Sequence, residues 1–251
     1  MEYEEIIIQL RSLAQPQAVA GVSRFGIDTQ NALGISLPAL RKMARQIGKN
    51  HNLALQLWDS GIHEARLLAG MIAEPQAVTE SQMEKWVSEF DSWDICDPCC
   101  SNLFDKTPFA YRKAEEWSRR EEEFIKRAGF VLMATLAVHD KQATDTEFAQ
   151  FLTIIAKNAG DERNFVRKAV NWALRQIGKR NLNLNRQAIA TTQAVQKMES
   201  PTAHWIAADA WRELTSSAVQ NDCNVKTASK ALIWRNRNRN HFSDNRNRRT
   251  C

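Results

Sequence analysis

The chain has 251 residues, of which 43% are hydrophobic and 25% are charged, and its formal net charge is +5. These values are typical of a globular protein with enough residues for a sizeable core. All of the excess positive charge lies in residues 235–251, which contain six arginines and one acid. The rest of the chain is neutral, so the arrangement of its charges, and not their total, must indicate any nucleic-acid surface.

No segment of the sequence has the character of a membrane span or an export signal. The longest apolar run, residues 128–138, is too short to cross a bilayer, and the first five residues are acidic where a signal peptide would be basic. Five cysteines are an odd number, which favours reduced thiols over a disulfide framework. We therefore expect a cytoplasmic protein.

The sequence predicts an all-α fold. Glycine and proline are scarce, at 9 and 6 residues, and the Asn-Gly and Asp-Gly pairs that mark tight hairpins are missing. Apolar residues recur at helical spacing almost throughout. The predicted helices span residues 3–14, 36–49, 51–59, 62–73, 79–90, 92–104, 108–117, 121–138, 145–158, 162–179, 184–197, 201–219 and 226–234.

A weak internal period indicates stacked helix pairs. Similar segments surround Arg127 and Arg167, and a third begins at Thr202, which gives a spacing of about 40 residues. This spacing is typical of HEAT-like repeats, which stack into a solenoid with a concave binding face. We predict a repeat domain over 1–220 and a C-terminal extension over 221–251 with a disordered Arg/Asn-rich tail, which is either dispensable or a non-specific anchor for phosphates.

The predicted helix 162–179 carries two different faces. Its aliphatic residues form one apolar stripe, as expected of a core-facing side. Lys168, Trp172, Arg175 and Lys179 fall on the opposite side, at about 100° per residue. Two interpretations stay open: an aromatic packed under a neighbouring repeat with basic residues around it, or a phosphate-binding stripe with an aromatic platform.

Arg127 lies at the start of a helix that is apolar on nearly every side. A buried arginine must be paired. Glu123, four residues earlier, is one possible partner, and a DNA phosphate on the concave face is the other. The sequence alone leaves both open.

The segment from Ser92 to Cys100 combines an aromatic side chain with a carboxylate. Trp93 and Asp97 are four residues apart, so on a helix they share a face and could hold a cation. An alternative is that Asp97 caps a helix whose first residue is Pro98.

The cysteines and histidines give no convincing metal or catalytic motif. Cys96, Cys99 and Cys100 share one helical face, which favours small buried thiols over a zinc site that needs four ligands. The five histidines lack metal-ligand spacing, and neither a phosphate-binding glycine loop nor a nucleophile elbow is present. We expect neither a metal nor a cofactor.

Six segments resemble the DNA alkylation-repair glycosylases of the AlkD type, which are built from HEAT-like repeats. The resemblance extends from about Phe25 to Leu214, whereas the tail lies outside it, and Pro98 and the Cys99-Cys100 pair depart from its pattern. Residues 168–175, continued by 178–180, are its most specific part. The segments are Phe25-Gly26-Ile27, residues 34–41, residues 63–66, Trp93-Asp94-Ile95-Cys96-Asp97, Lys126-Arg127-Ala128 and residues 168–175.

The resemblance implies an activity and a set of site residues. Members of the family remove N3-methyladenine and N7-methylguanine from duplex DNA, and the resemblance implies that the base is not enclosed in a pocket. It implies catalytic roles for Trp93, Asp97 and Trp172. We expect Arg127, Lys168, Arg175 and Lys179 to bind DNA phosphates, and a solenoid that grips one duplex needs only a monomer.

This set of residues suits the chemistry. An alkylated purine is cationic and leaves as a neutral base, so no strong general acid is needed, and the barrier lies in an oxocarbenium-like sugar. A carboxylate and two electron-rich rings can stabilise that cation.

A second interpretation is a catalytically inactive HEAT-like module that binds branched or damaged DNA or a protein partner. The combination of Trp93 and Asp97 argues against it, because an acid that faces DNA repels phosphates unless it takes part in chemistry.

Overall fold

A computed structural model describes residues 1–22 and 31–227, and this part of the chain is helical without a β-strand. The α-helices are α1 Tyr3–Ser12, α2 Pro16–Val22, α3 Leu37–Ile47, α4 His51–Asp59, α5 His63–Ile72, α6 Glu80–Ser88, α7 Trp93–Asn102, α8 Ala110–Ser118, α9 Glu123–His139, α10 Asp145–Asn158, α11 Asn164–Gly178, α12 Leu182–Val195 and α13 Pro201–Leu214. Residues 217–227 are also helical. The all-α prediction is confirmed.

Most of the predicted helix ends are confirmed to within about two residues, because capping signals mark them. Thr79 and Ser200 accept hydrogen bonds from backbone N–H groups of the helices that they precede, at 3.1 and 3.3 Å. Gly48 ends α3 with a φ of 75°, which glycine adopts without strain. Helix α2 was not predicted, since seven residues are too few to show a helical period.

The prediction of one helix over 201–219 is wrong at its end. Helix α13 stops at Leu214, and Ser216 then accepts a hydrogen bond from the Val219 N–H at 3.4 Å. A serine in this position starts a new helix, which covers 217–227. Most of the helix predicted at 226–234 lies outside the described residues.

The helices form two rows. Helices α5, α7, α9, α11 and α13, here called the odd row, each pack against the next member of the row. Helices α4, α8, α10 and α12 each pack against the odd-row helix that follows them. The rows enclose one continuous hydrophobic core that runs from Ile6 to Leu214. This arrangement of stacked helix pairs is the predicted solenoid.

The repeat length is not constant along the solenoid. The Asp97–Arg127 pair joins α7 and α9 over 30 residues, whereas the Asn171–Asp209 bond joins α11 and α13 over 38. The period of about 40 that the sequence shows from Arg127 onward agrees with this second spacing, whereas the first half of the solenoid repeats over a shorter length. The cause is helix length, because α5 and α7 have 10 residues each while α9 has 17.

Basic side chains bind the C-terminal ends of the odd row. Carbonyl groups at the ends of α5, α7, α9 and α11 accept hydrogen bonds from Lys49, Lys106, Arg180 and Lys226, in that order. These bonds satisfy carbonyls that have no partner within their own helix and place positive charge at the negative end of the helix dipole. The bonds from Lys49, Arg180 and Lys226 also tie these helix ends to distant parts of the chain.

Gly129 permits a close approach of α8 and α9. A Cβ atom on Gly129 would lie 2.5 Å from the backbone nitrogen of Ser118 and 2.9 Å from the carbonyl oxygen of Ala114. We expect Gly129→Ala to lower the free energy of unfolding by about 1–3 kcal/mol, because helix backbones would have to move apart. Urea unfolding measures this change.

Gly70 in α5 provides the matched control for that substitution. A Cβ there would meet the Cys99 Cα at 3.6 Å, which is an ordinary contact. Gly70→Ala should be neutral or stabilising by up to about 1 kcal/mol, since alanine favours the helix. Equal destabilisation by both substitutions would show that the α8–α9 contact is not the cause.

The chain after residue 214 packs on the repeats as far as it is described. Cys223 is buried. Lys226 donates to the carbonyl of Lys179, directly after α11, and Thr227 accepts from the backbone N–H of Leu182, the first residue of α12. The helix at 217–227 passes through the domain boundary predicted at 220, which stays a prediction. The Arg/Asn-rich tail and the Phe25-Gly26-Ile27 segment lie outside the described residues. No helix in the described part is long and apolar enough to cross a membrane.

Candidate functional site

An ion pair between Asp97 and Arg127 joins α7 to α9. Nε and Nη2 of Arg127 donate to the two carboxylate oxygens of Asp97, each at 2.8 Å, and Nη1 donates to the carbonyl of Phe165 in α11. The side chains are 7% exposed for Arg127 and 19% for Asp97. Burial raises the pKa of Asp97, and the hydrogen bonds and charge of Arg127 oppose that rise. Arg127 thus links three helices of the odd row and orients the carboxylate.

The sequence suggested two partners for Arg127, Glu123 and a DNA phosphate, and the structure bears on both. The pairing with Glu123 is wrong, because the guanidinium turns to Asp97 on the neighbouring helix. A DNA phosphate stays a prediction. It would have to bind a guanidinium of which Nε, Nη1 and Nη2 each already donate a hydrogen bond within the protein.

Helix α7 begins four residues before Asp97. Ser92 precedes its first residue, Trp93, and Pro98 lies inside the helix. The interpretation of Asp97 as a helix cap is therefore wrong. Proline has no N–H, so the Asp94 carbonyl loses its helical partner, but the helix continues to Asn102. Trp93 and Asp97 lie one turn apart on α7, as the spacing predicts.

Trp93 lines a cavity of about 450 Å³ at the N-terminal ends of α5 and α7, beside His63 and Asp94. His63 Nε2 and Asp94 Oδ2 are 2.8 Å apart. The other oxygen of Asp94, Oδ1, is buried and has no hydrogen-bond partner within the described part of the protein. Burial opposes protonation of His63, but the hydrogen bond and charge of Asp94 outweigh it, so the pKa of His63 is raised.

The His63–Asp94 pair predicts a pH-dependent contribution to stability. Since folding raises the pKa of His63, the contribution is complete below the ordinary pKa of about 6.5 and disappears as the pH rises through the folded-state value. We expect the difference in urea midpoint between the wild type and His63→Gln to shrink from pH 5.5 to 8.5. His204→Gln, at an exposed histidine in α13, controls for loss of an imidazole. A difference that grows with pH would contradict the role of the pair.

The three cysteines of α7 are buried, with Cys96 and Cys100 against α9 and Cys99 on the side of α7 that faces Gly70 of α5. Cys96 and Cys100 donate to the carbonyls of Phe124 and Ala128, each at 3.9 Å, and Cys99 is also enclosed. Burial raises the pKa of Cys99 and Cys100, which favours the neutral thiols. The prediction of small buried thiols is confirmed. Within residues 1–22 and 31–227, no group of His, Cys, Asp and Glu side chains could hold a metal ion.

Some of the basic residues in the predicted phosphate-binding stripe of α11 are already held in ion pairs. Lys168 is exposed, and Trp172 is half-buried with one part packed against the core. Arg175 and Lys179 both bind Glu213 of α13, each at 2.6 Å. Burial favours the neutral form of Glu213, but these two cations outweigh it, so its pKa is lowered.

The structure thus brings the predicted site residues together in two groups. Asp97 and Arg127 touch, with Trp93 on the same helix as Asp97. Arg175 and Lys179 meet at Glu213. Trp172 and Lys168 lie between the groups, on the helix whose Phe165 carbonyl binds Arg127.

Several features of this region were not predicted. Glu64 is buried and accepts hydrogen bonds from the backbone N–H groups of Leu33, Gly34 and Ile35, which fixes the segment before α3. Trp205 of α13 is exposed, with the Arg167 guanidinium over its ring. The sequence gives little signal for either, since an acid at a helix start and a helical tryptophan are both common.

Comparisons with known proteins agree with this architecture. An uncharacterised protein of Listeria innocua serovar 6a, Lin0241, is 23% identical over 201 residues, which is 78% of this chain and 87% of the relative. An uncharacterised protein of Listeria monocytogenes serovar 1/2a, Lmo0209, is 22% identical over 216 residues, 78% of this chain and 96% of the relative.

A solved structure shares the fold, with a TM-score of 0.71 and 18% identity over 84% of this chain and 95% of the other. It is described as belonging to "a new family of proteins related to the HEAT-like repeat DNA glycosylases with affinity for branched DNA structures". The solenoid is thus a HEAT-like helical repeat. The family model described as "DNA alkylation repair enzyme" matches residues 6–210, so the chain belongs to that family.

Proposed function

We propose that this protein is a DNA glycosylase that hydrolyses the N-glycosidic bond of cationic alkylated purines, N3-methyladenine and N7-methylguanine, in duplex DNA. The base is not enclosed in a pocket, and no metal or cofactor takes part. The protein acts as a monomer in the cytoplasm and is associated with the nucleoid when bound to DNA. Asp97, Trp93 and Trp172 are the catalytic residues of this proposal.

The observation that carries the proposal is the oriented carboxylate of Asp97. Arg127 holds both of its oxygens, so its position is set before any substrate binds. A preorganised charge costs no reorganisation when a positive charge develops on the sugar. The cationic base leaves as a neutral molecule, so the site needs no strong acid. Trp93, one turn from Asp97, adds an electron-rich ring face that favours a cation.

DNA phosphates in this proposal bind along α11. Lys168 is exposed and can bind a phosphate without losing a partner. Arg175 and Lys179 bind Glu213, and Arg175 and Arg212 bind Asp209, so three cations face two carboxylates and the remaining positive charge still attracts phosphates. In this proposal Arg127, which orients the Asp97 carboxylate, also contacts a phosphate of the DNA beside it.

Release of free base from methylated duplex DNA tests the proposal. The wild type should release 7-methylguanine and should act poorly on uracil or hypoxanthine, which are uncharged as leaving groups. Chromatography of the released bases under single-turnover conditions distinguishes these outcomes. Efficient release of uracil would overturn the leaving-group argument, and binding without any release would favour the second function below.

A non-catalytic DNA-binding module is the second candidate, and one observation favours it. Asp97 forms a bidentate ion pair with a buried arginine, so it has a structural role that requires no chemistry. This pair removes the argument that an acid facing DNA must be catalytic. The related solved structure is described as having affinity for branched DNA structures. Binding of intact and branched DNA, measured in the same preparation as base release, separates the two functions.

A further inference from the structure

Helices α11 and α13 are joined by contacts that repeat at every turn. The Asn171 side chain donates to Asp209, and the Arg175 side chain donates to Glu213, each over 38 residues of chain. Arg167 and Trp205 continue the series one turn toward the N-terminal ends, where the contact is a cation over a ring. The two helices therefore run side by side in the same direction, and Trp205 is one turn of α13 from Asp209.

Trp205 differs from the tryptophans of the core. Its side chain is 41% exposed, whereas Trp58, Trp86 and Trp117 are fully buried. The guanidinium carbon of Arg167 lies 5.4 Å from the centre of its ring, which keeps the indole at the surface beside a cation. Lys168, the next residue on α11, is exposed.

The surface around Trp205 carries an excess of positive charge. The two carboxylates of α13, Asp209 and Glu213, are held by three basic side chains, Arg175, Lys179 and Arg212. Arg167 and Lys168 add two further positive charges on α11. Such a surface favours a polyanion, and an aromatic ring within it favours a polyanion that also offers flat rings.

We propose that Trp205 and Arg167 form a stacking platform for an unpaired nucleobase of DNA, with Lys168 binding the adjacent phosphate. The proposal rests on the proposed function in one respect, namely that DNA lies along the exposed side of the odd row. The bases of an intact duplex are stacked on one another and offer only their edges in the grooves. An unpaired base offers its face, which can stack on the indole without regard to its identity.

Binding of two DNA probes tests the platform. One probe is a continuous duplex, and the other is the same duplex with a short single-stranded thymidine gap. Fluorescence anisotropy with the full chain should show that Trp205→Ala weakens binding of the gapped probe by about tenfold, as expected for the loss of one stacked base. Binding of the continuous duplex should change little, and Trp205→Phe should restore part of the lost affinity.

Trp211→Ala is the matched control, because Trp211 lies on the same helix and is 42% exposed, but it lines a groove between α12 and α13. The Trp211→Ala variant should bind both probes as tightly as the wild type does. Equal losses in Trp211→Ala, or equal losses on both probes in Trp205→Ala, would overturn the platform. Base release from methylated duplex, measured alongside, separates the proposals. If the wild type releases base and Trp205→Ala binds the gapped probe as the wild type does, only the stacking platform is contradicted. If Trp205→Ala weakens binding of the gapped probe but the wild type releases no base, only the glycosylase activity is contradicted.

Discussion

Asp97→Asn should reduce the single-turnover release of 7-methylguanine from methylated duplex DNA by at least about a hundredfold, the usual effect of removing one preorganised group that stabilises developing charge. Asparagine keeps the shape of the side chain but has no negative charge to face an oxocarbenium-like sugar. Saturating protein and chromatography of the released base give the rate of the chemical step. Retention of the full rate would remove Asp97 from the mechanism.

Asp97→Asn also leaves Arg127 without its anion, so a loss of activity could follow from a loss of structure. The double variant Asp97→Asn, Arg127→Gln removes both charges and leaves no unpaired ion in the core. It should remain folded in circular dichroism and thermal unfolding, and it should still release base slowly. Asp94→Asn, three residues earlier on α7, changes a carboxylate that pairs with His63 and should keep most of the rate. Rapid release by the double variant would mean that Asp97 is only structural.

Arg127→Met should lower the free energy of unfolding by about 3–5 kcal/mol, since it leaves the Asp97 carboxylate unpaired in a largely buried place. Because methionine fills much of the volume of arginine, the lost stability comes mainly from the unpaired charge of Asp97 and only to a small extent from a cavity. It also removes the bond to Phe165 that ties α9 to α11. Urea unfolding followed by circular dichroism measures the change.

An exposed ion pair gives the control for Arg127. Lys85 binds Asp59 at 2.6 Å across two helices, with both side chains more than half exposed. Lys85→Met should cost less than about 1 kcal/mol, because solvent screens the pair. Asp97→Asn combined with Arg127→Met should cost less than Arg127→Met alone, since no buried charge remains. Equal losses for Arg127→Met and Lys85→Met would show that burial of the pair does not matter.

The two expected results concern one ion pair with two roles. The bidentate contact fixes Asp97 and favours its ionised form, which a stabiliser of cations requires. The same contact connects α7, α9 and α11 and so supports the solenoid. A catalytic site and a structural joint can therefore share residues, which is why activity and stability must be measured on the same variants.

Helix positions and the helical content could be predicted from the sequence because they depend on local signals. Apolar spacing, capping residues such as Thr79 and Ser200, and the scarcity of glycine act within a few residues of chain. The shared face of Trp93 and Asp97 follows from the same local geometry. The limits appear where a signal is ambiguous, as at Asp97-Pro98, which has the pattern of a helix start but lies within α7.

Only the tertiary structure decides which charges meet. Asp97 pairs with an arginine 30 residues away, and Arg175 pairs with a glutamate 38 residues away, while Glu123 and Arg127, which are four residues apart, do not pair. The reason is physical, because the stacking of neighbouring repeats sets these distances and burial makes a partner necessary. The sequence by itself determined the helices and the residue types of the face, and the packing of the odd row determined which of those side chains are held and which, such as Lys168 and Trp205, are left exposed.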